Sequence, residues 1–207
     1  MKLNSTHKKF IADIIEDCNK HNITVLLSHE KRVKLPEEDD DAAANGFFCN
    51  EDRILAVAAG NPVEQWFWVL LHEYNHFQQW KEKKFYSDKA IEDESLFWGW
   101  LFCDHELTKK ILDRVTNRQR ACELDCEQRT IKTLKEYPEI GIDIKIYTQK
   151  VNAYLYFYTM VKRRRRWYKK APYEVKEIIN IMPDKLLKNY NRVPKEYQKL
   201  VDKHCFD

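Results

Sequence analysis

A chain of 207 residues with 43% apolar and 13% aromatic residues has enough material for one sizeable core, which argues against intrinsic disorder. Its 36 basic and 33 acidic residues leave a net charge of only +3, so the molecule as a whole is not built as a polyanion binder. The longest apolar run, around Trp66 to Leu71, falls far short of a bilayer span, so no membrane partner is expected.

The six cysteines (Cys18, Cys49, Cys103, Cys122, Cys126 and Cys205) form no C-x-x-C pair, and no basic-apolar-small signal opens the sequence. Reduced thiols and a cytoplasmic location are therefore expected, or a virion-associated one if the chain is phage-encoded. Only four glycines and six prolines leave little loop material, and helix is expected to dominate.

Residues 5–20 carry apolar positions at Phe10, Ile11, Ile14, Ile15 and Cys18, one face of a helix that Ser5 or Thr6 can cap. Ile23 to Leu27 reads as a strand, and Arg32 to Leu35 as a second, alternating one. Five acids follow Pro36 as a solvated loop, and Asn45-Gly46 marks a turn. Arg53 to Ala59 reads as another strand, ended by Gly60. Asn61-Pro62-Val63-Glu64 is a helix start, with Asn61 as cap and Pro62 at the first helical position. That helix is expected to reach about Lys84. Further helices are expected over roughly 93–110, 117–136 and 145–168, with a break at Tyr137-Pro138 and Gly141. Three short segments opened by Pro172, Pro183 and Pro194 complete the chain. The fold class read from this order is α+β. A core over 1–140 carries a small antiparallel or mixed sheet packed on the 61–84 helix, and a helical extension over 141–207 packs on that core.

The chemistry concentrates in His72-Glu73-Tyr74-Asn75-His76. Histidines at i and i+4 on one helix face aim their rings at a common point, two corners of a tetrahedral zinc site. Glu73 then stands beside the remaining position, placed to take a proton from water there. The polar trio interrupts the stripe Val69, His72, Glu73, His76, Phe77, Trp80, which should be buried. Three buried polar groups without partners would cost several kcal/mol, so a shared partner such as a metal is called for. The bland alternative is an amphipathic helix with histidines at its polar edge.

Zinc needs one more protein ligand. Glu123 and Glu127 head an apolar stripe with Ile131 and Leu134 and repeat the same anomaly. With Glu123 as ligand, Glu127 lies one turn along and is placed to accept the second ring N–H of a ligating histidine. Asp104, His105 and Asp125 are rival third ligands. Cys122 and Cys126 straddle Glu123 but lie off its stripe, and read as small buried residues.

His72-Glu73-x-x-His76 with Glu123-Leu-Asp-Cys-Glu127 beginning 47 residues beyond His76 resembles the gluzincin metallopeptidases, in which a downstream helix supplies a glutamate ligand in a Glu-x-x-x-Asp pattern. The resemblance covers about 45–135, and it departs from the family at Glu127, which keeps the charge of the usual Asp on a longer arm. It implies a zincin-like core and a zinc cofactor held by His72, His76 and Glu123. It also implies peptide-bond hydrolysis of a peptide or protein substrate, with Glu73 as base and a Tyr or His at the oxyanion. The Arg53–Ala59 strand is similar to the edge strand that lines the family's cleft. Tyr147, Tyr154, Tyr156 and Tyr158 read as core.

Lys162 to Lys170 holds seven basic residues around Trp167 and Tyr168. Arg163, Arg164, Arg165, Arg166 and Trp167 offer a surface for nucleic acid or an acidic protein, whereas the plainer reading is the solvated end of a helix. Two functions of other classes therefore stand beside the zinc peptidase: a zincin-fold structural or interaction protein, for example of a phage particle, and a nucleic-acid-associated protein using 162–170.

Overall fold

The computed structural model describes residues 2–36, 43–103 and 105–206. Most of the acidic stretch read as a solvated loop, and the rival ligand Asp104, lie outside the described residues. The fold is α+β, with seven α-helices among the described residues. The chain divides into two compact units, residues 1–85 with 128–142 and residues 86–127 with 143–207.

In the first unit, α1 (Ser5–Asn19) is capped by Asn4 rather than by Ser5 or Thr6. The Asn4 side-chain oxygen accepts from the His7 backbone N–H at 2.9 Å, and the His7 ring accepts from the Asn4 N–H at 3.2 Å. This reciprocal box places a histidine where Glu or Gln usually stands. Five short strands follow among the described residues: β1 (Thr24–Ser28), β2 (Val33–Lys34), β3 (Ala43–Ala44), β4 (Gly46–Cys49) and β5 (Ile54–Ala58). The main sheet has the order β1-β5-β4, with β1 parallel and β4 antiparallel to β5, while β2 and β3 form a separate antiparallel ladder.

The Arg53–Ala59 strand is therefore central and not an edge. Its unbroken apolar run, Leu55 to Ala58 all buried, is what a strand covered on both faces requires. The edge next to it is β4, which begins at the Asn45-Gly46 step that reads as a turn in the sequence.

Helix α2 (Val63–Lys81) packs on β4 and β5 and buries Phe67, Leu70, Leu71 and Phe77. Its N-cap is Pro62 rather than Asn61, whose side-chain amide donates to Lys31 O at 2.9 Å and Ala58 O at 3.0 Å. It ends at Lys81, short of Lys84, and Lys83 and Phe85 take positive φ of 54° and 63°. One side of α2 is tied to α1 through Asp17, which accepts from Tyr74 Oη, Gln78 Nε2 and Lys81 Nζ at 2.8 Å each. Burial raises the Asp17 carboxyl, but these hydrogen bonds and the Lys81 charge outweigh it and hold the pKa down to about 2.

Helix α4 (Lys109–Glu136) runs unbroken from the second unit into the first. Its last turns are pinned to α2 by a buried Asn75 Nδ2–Thr130 Oγ1 bond of 3.0 Å and by a fork from Arg129 to Glu82 at 2.8 and 2.6 Å. A 3-10 turn (Pro138–Ile140) and Gly141, at φ 74°, then end this part of the chain as the sequence leads one to expect.

In the second unit, α3 (Asp88–Phe102) and α4 replace the expected helices over 93–110 and 117–136, so the break falls at 103–108. Thr108 stands at the new start, its Oγ1 3.4 Å from the Ile111 N–H. Helix α5 (Ile144–Arg164) is capped by Asp143, which accepts from the Lys145 and Ile146 N–H groups at 2.8 and 3.1 Å. It stops before 168 because Arg165 turns left-handed, at φ 47°. Pro172 opens a 3-10 turn followed by α6 (Lys176–Asn180), and Pro194 precedes α7 (Lys195–His204). Pro183 opens no helix, and Asn152 Nδ2 donates to Pro183 O at 2.8 Å and Lys185 O at 3.0 Å. Phe97, Val115, Leu155, Phe157, Met160 and Tyr197 form the buried centre of this unit. Among the described residues no helix is long and apolar enough to cross a membrane.

Candidate metal centre

On α2 the i, i+4 spacing brings the two imidazoles together with ring centroids 4.7 Å apart and planes at 82°. Their Nε2 atoms stand 3.1 Å from each other. Two nitrogens each about 2.0–2.1 Å from one tetrahedral zinc are separated by about 3.3 Å. The pair thus has nearly the spacing of two ligands of one ion.

Glu73 is buried, with 8% of its surface exposed. Its neighbour across the packing is Gly46, the first residue of β4. A Cβ at that glycine would lie 2.5 Å from Val69 Cγ1, 2.9 Å from Ala56 O and 3.2 Å from Glu73 Cγ. Only a glycine lets the edge strand run this close to the motif helix. Sequence reasoning gave Gly46 no part in the site, although a glycine leading two phenylalanines was a usable sign of close backbone approach.

His72, His76 and Glu123 each offer one ligand atom, and these atoms lie within 4.8 Å of one another. Two imidazoles and a carboxylate are a donor set that fits zinc. Of the rival ligands, His105 is exposed on the 103–108 connection, and Asp125 stands two residues from Glu123, on another face of α4. The Tyr158 hydroxyl is 3.4 Å from Glu123 Oε1 and 3.1 Å from the Tyr154 hydroxyl. Burial first, and then the Glu123 carboxylate, push both phenols well above their ordinary pKa, so they remain protonated donors. Burial likewise pushes the Cys122 thiol up, aided by the charges of Glu123, Glu94 and Asp125.

Glu127 is buried and accepts from the Tyr147 hydroxyl. The His76 ring turns its Nδ1 to Gln79 Oε1, 3.1 Å away on the same helix. Gln79 is fully buried and was not singled out by the sequence, where a glutamine three residues beyond a histidine is an unremarkable polar position.

The basic run lies in the second unit, where several of its charges are engaged. Lys162 pairs with Asp113 at 2.6 Å, and Arg164 forks onto Asp202 at 3.0 and 2.6 Å. Arg165 donates to Trp100 O at 2.8 Å, His105 O at 3.0 Å and Glu106 at 2.7 Å. Trp167 packs against Trp98, Phe157 and Tyr158, whereas Arg163 and Arg166 are exposed, Arg166 lying 6.0 Å from the Phe206 ring centre.

Set against protein-family models, curated proteins and solved structures, the chain matches none of them.

Proposed function

We propose that this chain is a zinc-dependent hydrolase with a zincin-like core that cleaves peptide bonds. The observation that carries the reading is the convergence of the His72 and His76 Nε2 atoms at 3.1 Å with Glu123 as the third donor. Such a set leaves a fourth position open, as catalytic rather than structural zinc sites do. When bound, zinc supplies a Lewis acid that acidifies water and polarises a carbonyl.

The remaining work falls to the chain. Glu73, adjacent to His72 and held beneath Gly46, takes a proton from the attacking water at its carboxylate and returns it to the departing amine. Its low exposure keeps competing solvent away from that carboxylate. β4 is an edge strand against the motif helix, and its backbone suits an extended peptide that pairs by strand addition. A peptide or protein substrate is therefore favoured over a small metabolite.

The test is the metal content of the purified chain beside His72→Ala and Glu123→Ala variants. Stoichiometric zinc in the parent and its loss from both variants is the expected result, and a parent without zinc sinks the proposal. Glu73→Gln is expected to keep the metal and lose roughly 10²–10⁴-fold in cleavage of a peptide library. Zinc in both proteins with cleavage by neither would make the chain a structural zincin-fold module instead.

A further inference from the structure

We infer that Gln79 is the residue that sets the tautomer of His76 and so presents its Nε2 as a ligand; this rests on the metal-site reading above. The sequence offers Glu127 as acceptor for the second ring N–H of a ligating histidine, without fixing which one. At His76 the structure shows a partner from its own helix, Gln79, and the chemistry of that partner bears on where the ring proton sits.

An amide oxygen only accepts hydrogen bonds. Facing Gln79 Oε1 at 3.1 Å, the His76 Nδ1 is assigned the proton. The Nε2 of a neutral ring then has a bare lone pair, directed at the point where the His72 Nε2 also converges. With His76 neutral and protonated at Nδ1, a hydrogen bond across the 3.1 Å between the two Nε2 atoms needs His72 Nε2–H as donor and His76 Nε2 as acceptor. That pairing puts the two histidines in opposite tautomers, with His76 the one set for ligation.

Burial makes Gln79 a fixed post. Its residue surface is fully covered, and it follows His76 by three positions, close to one helical turn. Outer partners of this kind orient ligating histidines and typically change metal affinity by 10–100-fold when removed. A neutral amide differs from a carboxylate in this place, because it orients the ring without adding a negative charge beside it. Gln79 touches a ligand rather than the reacting atoms, and is a positioning residue.

The experiment uses the full chain, with zinc alone as probe. Long-range ¹⁵N–¹H spectra of the imidazoles in metal-free protein, recorded at about pH 8 and so above the ordinary imidazole pKa of about 6.5, report each tautomer directly. His76 is expected as the Nδ1–H form and His72 as the Nε2–H form. Gln79→Met, of similar size, is expected to move His76 toward the Nε2–H form and to weaken zinc binding, measured by chelator competition, roughly 10–100-fold. Gln79→Glu, which restores an acceptor, is expected to restore the Nδ1–H form. An Nε2–H tautomer at His76 in the parent protein overturns the inference without any variant. So does a Gln79→Met protein with unchanged tautomer and zinc affinity. Tautomers as expected in a parent that binds no zinc would support the role of Gln79 and remove the peptidase reading alone.

Discussion

Replacing Asp17 by asparagine tests how firmly the motif helix is held from behind. Asp17 accepts from Tyr74, Gln78 and Lys81, all on the side of α2 turned toward α1. Its folded-state pKa of about 2, against the ordinary 3.8, corresponds to about 2 kcal/mol of stability carried by the ionised form. The carboxylate and the Lys81 ammonium are each one-quarter exposed, which keeps solvent screening moderate. Because the folded pKa is depressed, this stability is fully present above pH 3.8 and declines as pH falls, with about half gone near pH 3 and nearly all below 2. Urea unfolding of the parent and Asp17→Asn across this range is the assay. The variant should be about 2 kcal/mol less stable at neutral pH, with the gap narrowing steadily below 3.8. A gap of constant size down to about pH 3, or none at neutral pH, would refute the assignment of the stability to an ionised Asp17.

Gly46→Ala forces a methyl into atoms 2.5 and 2.9 Å away, so a lowered thermal midpoint equivalent to about 1–3 kcal/mol is expected, with any peptidase activity falling as Glu73 is displaced. An unchanged midpoint would mean that β4 does not run this close to α2. Thr130→Val takes a hydroxyl acceptor from the buried Asn75 amide and is expected to cost about 1–3 kcal/mol in chemical denaturation. Adding Asn75→Leu should then cost less than the two single changes predict, and strict additivity would argue against a direct bond between these side chains.

The parts legible in the sequence were those fixed by local geometry. His72 and His76 meet because residues four apart on a helix always do, and Gly141 ends its segment because a left-handed position there suits glycine. Glu123 stood out because two carboxylates at the head of an apolar stripe have no other obvious purpose. What escaped depended on contacts distant in sequence. Asn61 is a good cap by type, but its amide is drawn to Lys31 O across 30 residues. The Arg53–Ala59 strand, likened to an edge, lies at the sheet centre because strand order is a matter of pairing, although its unbroken apolar run was a sign of it. The break at 103–108 hides behind helix-compatible residues, and Arg165 stops α5 through bonds to Trp100, His105 and Glu106 that no local rule foresees. Gln79 gives no sign at all, since only full burial distinguishes it from any glutamine on a polar edge.

The enclosure of α2 has a practical consequence for anyone who wishes to watch this helix. Of its nineteen residues only Glu64, in the first turn, is exposed, and every position from Gln65 to Lys81 is at least partly covered. A fluorophore or spin label placed anywhere beyond that first turn would compete with the packing it was meant to report on. Glu64 is the natural attachment point, and the native tryptophans Trp66, Trp68 and Trp80 already supply intrinsic reporters at both ends of the segment.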